Sequence, residues 1–172
     1  QNYGPGIAIK TDGTLWSWGY NGTGVLGQND NIRRSSPTQI PGTTWSHVSG
    51  KNNNWLIGIK TNGTMWSWGS NNYGQLGLNE QGGYDGGAYP GSRSSPTQIP
   101  GTTWSKSFST STHVTAFKTD GTIWAMGNNS NGALGQNESP SDRYGYSSPV
   151  QIPGTTWKGI MNAGTRSTIA FK

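Results

Sequence analysis

Two histidines, seven carboxylates and no cysteine are all that this 172-residue chain offers for acid–base, metal or thiol chemistry. A zinc centre needs three or four nitrogen, sulfur or carboxylate ligands held together. His47 and His113 stand far apart in the sequence with no thiol to join them, so they read as isolated strand or loop histidines. Asp12 and Asp120 each precede a glycine, where a short carboxylate bonds its own backbone in a turn. Asn62 takes their place in a third copy of the same turn, which argues against a catalytic or metal role. Asp30, Glu80 and Glu138 follow a Gly/Asn-rich loop at one equivalent place in each copy and read as solvated loop ends rather than a cation site. Gly22-x-Gly24-x-x-Gly27 spells a dinucleotide-binding fingerprint, but no helix pattern follows it, and a fingerprint without its strand–turn–helix context is a chance match. No Ser/His/Asp arrangement emerges. The sequence therefore assigns no catalytic residue, no metal ligand and no cofactor.

The elements behind these residues are repeats. KTDGTLWSWG at Lys10–Gly19 returns as KTNGTMWSWG at Lys60–Gly69 and as KTDGTIWAMG at Lys118–Gly127. Recurrence at this spacing signals a repeat architecture. Each Asp-Gly or Asn-Gly pair is a tight-turn signal between two short apolar runs, so each phrase predicts a β-hairpin. Within the hairpin's second strand, Trp16 and Trp18, Trp66 and Trp68, or Trp124 and Met126 share one face by alternation. A loop follows with a single leucine between glycines, Leu26, Leu76 or Leu134. After a variable stretch comes Ser35–Trp45, repeated letter for letter at Ser94–Trp104 and with one change at Ser147–Trp157. Its two prolines predict an edge strand, since proline cannot donate to a sheet ladder. The predicted fold is all-β, with about four short antiparallel strands per period. The periods run 10–59, 60–117 and 118–171, and residues 1–9 match the end of a preceding unit.

Composition agrees with this plan. Only 29% of residues are hydrophobic, but there are 9 Trp. Each buried Trp removes roughly 150–250 Å² from water, worth on the order of 4–6 kcal/mol. The 28 glycines and scarce helix formers indicate short strands and many turns. A net charge of +5 is thinly spread, with Arg33-Arg34 as its one doublet. Nucleic-acid binders concentrate basic residues on one face, so nucleic acid is not the expected partner. No apolar run reaches the length of a membrane span. The chain starts at Gln1 rather than Met and reads as a processed product or a piece of a longer one.

A four-stranded unit repeated at this length predicts β-propeller blades. The residues also carry a family resemblance. The series Asp-Gly-Thr-x-Trp-x-Trp-Gly-x-Asn-x-x-Gly-x-Leu-Gly followed by Ser-Pro-x-x-Ile resembles the repeat of the regulator of chromosome condensation family, across all three periods. The resemblance implies a propeller, usually of seven blades. About three blades are present here, the rest being expected from a longer chain or from oligomerisation. A histidine common in that family is matched only by His113, with Trp55 and Ser167 at the equivalent places. Some members exchange guanine nucleotides on small GTPases or bind chromatin; neither activity is carried over to residues of this chain, and a regulator of that kind stands as an alternative that the resemblance implies.

The expected function is that of a non-catalytic scaffold whose variable loops recognise a protein or surface partner. Those loops carry Arg33, Arg34, Tyr84, Asp85, Tyr89, Arg93, Arg143, Tyr144 and Tyr146. Tyr and Arg dominate binding hot spots, and loops on a rigid scaffold are where function concentrates. The Trp pairs read as blade core. If they were instead exposed, with Trp55 beside them, a lectin-like propeller would be the alternative. The uniform, polar, cysteine-free repeats suit a structural or surface component of a phage, virus or bacterium. Sequons at Asn21, Asn62, Asn128 and Asn137 matter only in a glycosylating host.

Overall fold

Asp12-Gly13, Asn62-Gly63 and Asp120-Gly121 each turn the chain between two antiparallel strands in the computed structural model, which describes residues 4–50, 54–80, 91–138, 145–162 and 168–171. The amide of Gly13 donates to the carbonyl of Lys10 at 2.9 Å, and Lys10 N–H donates to the carbonyl of Thr14 at 2.9 Å. Of each Asx-Gly pair, only the glycine takes a left-handed backbone, with φ of 78°, 76° and 79°. The Asx residue contributes its side chain instead. Asp12 Oδ1 accepts the Thr14 amide at 2.9 Å and the Thr14 hydroxyl at 2.6 Å. That hydroxyl in turn accepts the Trp16 indole N–H at 2.8 Å. The same relay runs through Asn62, Thr64 and Trp66, and through Asp120, Thr122 and Trp124. It needs only an acceptor oxygen at its end, so asparagine serves as well as aspartate.

Thirteen strands are described: β1 (Gly6–Ile9), β2 (Leu15–Gly19), β3 (Arg34–Ile40), β4 (Trp45–Gly50), β5 (Trp55–Lys60), β6 (Met65–Gly69), β7 (Arg93–Ile99), β8 (Trp104–Ser109), β9 (His113–Lys118), β10 (Ile123–Asn128), β11 (Gly145–Gln151), β12 (Gly159–Asn162) and β13 (Thr168–Phe171). They form antiparallel sheets in the orders β1-β2-β3, β4-β5-β6-β7, β8-β9-β10-β11 and β12-β13. The proline-bearing strands β3, β7 and β11 are edges, as an imino acid requires. Each four-stranded sheet takes its first two strands from one sequence period and its last two from the next.

The sheets stack through apolar faces. Leu15, Leu26 and Ile40 of the first sheet pack with Trp45, Leu56 and Trp68 of the second. Ile57, Met65, Leu76 and Ile99 of the second pack with Trp104, Val114 and Met126 of the third. Trp68 and Met126 are equivalent, and each covers the leucine loop of the preceding sheet. The indole N–H of Trp68 donates to the carbonyl of Val25 at 2.8 Å. The loop leaves room for it at Gly27, where a Cβ would lie 3.1 Å from the indole nitrogen.

Further bonds lock neighbouring sheets at the hairpin end. Trp45 N–H donates to Gly13 O at 2.9 Å, Trp104 N–H to Gly63 O at 3.0 Å and Trp157 N–H to Gly121 O at 3.2 Å. Thr44, Thr103 and Thr156, one before each of these tryptophans, adopt φ of 67°, 67° and 63°. A left-handed backbone is costly for a β-branched residue. The carbonyls of Thr44 and Thr103 hold it by accepting Thr61 N–H at 2.8 Å and Thr119 N–H at 2.9 Å from the next hairpin.

Candidate recognition face

Antiparallel order puts the Asx-Gly turns at one end of the first three sheets and the long β2–β3, β6–β7 and β10–β11 connections at the other. The three variable stretches therefore emerge at the same end. Each begins with the leucine loop, folded around an asparagine. Asn21 Oδ1 accepts the Leu26 amide at 2.8 Å, Asn71 Oδ1 that of Leu76 at 3.0 Å and Asn129 Oδ1 that of Leu134 at 3.1 Å. Asn21 Nδ2 donates to the carbonyls of Asp30 and Ile32 at 2.9 and 3.1 Å. Asn21 is 1% exposed, so the sequon it begins is closed in the folded chain.

Glu80 is exposed and Asp30 and Glu138 are half-buried, but none of the three is a loose loop end. Each is paired with the residue that starts or nearly starts the outer strand. Asp30 Oδ2 meets Arg34 Nη2 at 2.6 Å. Glu80 pairs with Arg93. Glu138 Oε1 accepts the Tyr146 hydroxyl at 2.7 Å. Arg34, Arg93 and Tyr146 sit opposite Gly19, Gly69 and Gly127, at the same register shift in each sheet. A clamp thus closes the base of each variable stretch. The Arg34 guanidinium and the Ile32 amide hold the Asp30 carboxyl below the usual carboxylate range.

Of the nine residues singled out in the variable loops, Arg34, Arg93 and Tyr146 belong to these clamps. Arg33 is exposed. Tyr84, Asp85, Tyr89, Arg143 and Tyr144 lie outside the described residues. Two residues not expected from the sequence are exposed in the same β2–β3 connection as Arg33: Ile32 and Tyr20, 64% and 50% exposed. Tyr20 could have been found by alignment of the copies, because the equivalent Ser70 and Asn128 are small, polar and buried.

The remaining candidates for chemistry are structural. His113 is fully buried, its Nδ1 2.9 Å from the Thr110 hydroxyl, and burial pushes its pKa down to about 4. His47 Nε2 lies 2.8 Å from the Ser107 carbonyl, across the boundary between β4 and β8. Trp55, at the place equivalent to His113, is 1% exposed and offers no stacking surface to a sugar. Trp66 and Trp124 stand edge-on to Trp45 and Trp104, with ring centroids 6.4 and 6.0 Å apart. Lys60 lies over Trp45 and Trp66, and Lys118 over Trp104 and Trp124, with the ammonium 4.3–4.8 Å from each ring centre. Among the described residues, no three His, Asp or Glu side chains converge. Among them, too, no helix is long and apolar enough to cross a membrane.

Four-stranded antiparallel sheets stacked face to face in sequence order define this protein as a β-propeller of repeat type. The model of the regulator of chromosome condensation repeat matches residues 12–52 and 62–117, and a second model of that repeat matches residues 47–75. The chain belongs to the regulator of chromosome condensation repeat family.

Solved structures carry the same fold. Prp20p from Saccharomyces cerevisiae, described with its binding properties to Gsp1p and histones, matches with TM-score 0.75 and 18% identity, covering 97% of this chain and 41% of that one. The same yeast protein bound to Kap60 matches with TM-score 0.72 and 16% identity over 97% of this chain and 39% of that one. Human WBSCR16 matches with TM-score 0.70 and 18% identity over 87% of this chain and 36% of that one. The chain thus spans about two fifths of the length of these structures. A search of curated protein sequences returned no match.

Proposed function

We propose that this chain is a scaffold that presents loops of unequal length at one end of its blades to recognise a protein partner. The observation that carries this reading is the clamp. Asp30–Arg34, Glu80–Arg93 and Glu138–Tyr146 fix the two ends of each variable stretch at the same place in every blade, whatever its length. A constant frame with free sequence between fixed ends is what a recognition loop needs. The exposed Tyr20, Ile32 and Arg33 of the first loop supply the aromatic, apolar and cationic groups that dominate hot spots. Tyr84, Asp85, Tyr89, Arg143 and Tyr144 extend this reading to the other two loops. The binding of Gsp1p and histones described for Prp20p, and its complex with Kap60, supply the first candidate partners.

The test is a loop exchange. Residues 81–92 are replaced by the short stretch 31–33, and binding to Gsp1p, histones and Kap60 is measured before and after by biolayer interferometry. Binding that falls at least tenfold while the unfolding midpoint holds supports the reading. Binding indifferent to this exchange and to the equivalent exchanges of the other two stretches overturns it, and absence of binding removes these partners. A nucleotide-exchange assay on Gsp1p, run in parallel, decides whether an exchange activity is present.

The uniform polar repeats further suit a structural or surface component of a phage, virus or bacterium. Fractionation of the source decides this, and recovery from the soluble cytosol alone would sink it.

A further inference from the structure

The tripeptide Asn-Gly-Thr occurs twice in the chain, at Asn21–Thr23 and at Asn62–Thr64. Asparagine before glycine is prone to lose its side-chain amide, because glycine has no Cβ to shield the backbone nitrogen that attacks it. The two copies carry the same letters, and the fold gives them opposite surroundings.

Asn21 is 1% exposed, and both ends of its amide are held. Oδ1 accepts the Leu26 amide at 2.8 Å, and Nδ2 donates to the carbonyls of Asp30 and Ile32 at 2.9 and 3.1 Å. These partners lie five to eleven residues further along the chain. The side chain cannot turn toward the Gly22 nitrogen until the whole leucine loop comes apart. Asn62, by contrast, is exposed at the tip of the β5–β6 hairpin. Its Oδ1 accepts the amide and the hydroxyl of Thr64 at 3.1 and 2.8 Å, and its Nδ2 donates no hydrogen bond among the described residues. The Gly63 amide donates to the Lys60 carbonyl at 2.9 Å. All three of these bonds lie inside the turn Lys60–Thr64, so opening of one exposed turn releases them.

We propose that Asn62 is a site of spontaneous deamidation in the folded protein, and that the fold protects Asn21 from the same reaction. The Gly63 nitrogen attacks Asn62 Cγ. A C–N bond forms, the Gly63 amide proton passes to Nδ2, and Nδ2 leaves as ammonia. Water then opens the cyclic imide. Cleavage of the new bond at Cγ gives aspartate. Cleavage at the Asn62 backbone carbonyl carbon gives isoaspartate, with the chain routed through the former side chain. Nothing is oxidised or reduced, and water is the only co-reactant.

The aspartate product has a ready place in this architecture. Asp12 and Asp120 fill it in the other two hairpins, where the bonds from Thr14 and Thr122 hold their carboxyls below the usual carboxylate range and Lys10 and Lys118 add attraction. Isoaspartate has no such place, since it lengthens the backbone of a turn whose flanking residues Ile59 and Met65 are paired. Either product brings a carboxylate to a groove of about 750 Å³ lined by Lys60, Asn62, Thr102, Thr103 and Trp104. Lys60 is the one charged side chain among the described residues that line it. Time alone therefore changes the charge at the hairpin end of the blades, opposite the variable loops.

Peptide mapping by mass spectrometry tests this site by site. The chain is aged in mildly alkaline buffer, native and in guanidinium chloride, and conversion of amide to acid is followed at both positions. In the native chain, conversion at Asn62 should outrun that at Asn21 by about tenfold or more, because Asn21 reacts only from the opened loop. In denaturant the two rates should converge, because the residues that follow are the same. Equal rates in the native chain, or a faster rate at Asn21, overturn the proposal. So does an Asn62 that stays intact in the native chain while denaturant converts it. Rates that stay as far apart in denaturant also overturn it, since local sequence and not the fold would then set the difference.

Discussion

Trp68 donates its indole N–H to the carbonyl of Val25, and the two residues belong to different sheets. Both are buried completely. The bond therefore fixes how one blade seats on the next, and it does so without water. Replacing Trp68 by Phe keeps most of the apolar area but leaves a buried carbonyl without its donor, at a cost of about 1–3 kcal/mol. Replacing it by Ala adds a cavity and costs about 3–5 kcal/mol. Urea unfolding midpoints of the two variants should fall in that order.

The hairpin relay predicts which atoms matter. Thr64 stands between the Trp66 indole and Asn62, accepting from one and donating to the other. Thr64→Val removes both bonds and should destabilise the chain by about 0.5–1.5 kcal/mol. Asn62→Asp supplies the same acceptor, as Asp12 and Asp120 do, and should leave the unfolding midpoint at pH 7 where it was.

His113 makes stability depend on pH. Its folded pKa of about 4 lies below the ordinary histidine value of 6.5 because burial penalises the charged ring. Above pH 6.5 neither state binds this proton. Between 6.5 and 4 the unfolded chain takes it up while the folded chain resists, so stability is lost as pH falls through that window. From pH 7 to pH 5 the loss from this one group is about 2 kcal/mol. Unfolding midpoints measured at both values should show it, and His113→Gln should flatten the slope between them.

The clamps should govern local opening rather than global stability. Glu138→Ala releases the Tyr146 hydroxyl, and amides at the start of β11 should exchange faster by mass spectrometry. Glu138→Gln retains an acceptor oxygen and should restore most of the protection. The Asp30–Arg34 pair, which is ionic and close to the surface, should weaken in high salt, whereas the Tyr146 contact, whose donor is neutral, should change less.

The repeats, the hairpins, the edge prolines and the leucine loops can all be read from the letters, because each rests on residues close in sequence. Asp12-Gly13 announces a turn, and Pro37 an edge, from composition and spacing alone. The clamps cannot be read in this way. Arg34 follows its carboxylate by four residues, but Arg93 follows Glu80 by thirteen. Both arginines nevertheless take one place in the fold, opposite Gly19 and Gly69 beside the register shift of their sheets. In the third blade the clamp changes chemistry to a tyrosine, which hides it further. Trp55 is a second limit. Its letter suits a sugar platform as well as a core, and only its position inside the stack decides between them.

Each four-stranded sheet borrows half its strands from either side of a Lys-Thr turn, and this has a consequence for how such a chain can change length. A duplication or deletion that begins and ends at those turns adds or removes the last half of one blade and the first half of the next. The flanking halves then find each other in the same register, because Lys10, Lys60 and Lys118 open interchangeable hairpins. No strand is orphaned by the event. The identity of Ser35–Trp45 and Ser94–Trp104 is the trace expected of a gene that has copied itself in such units.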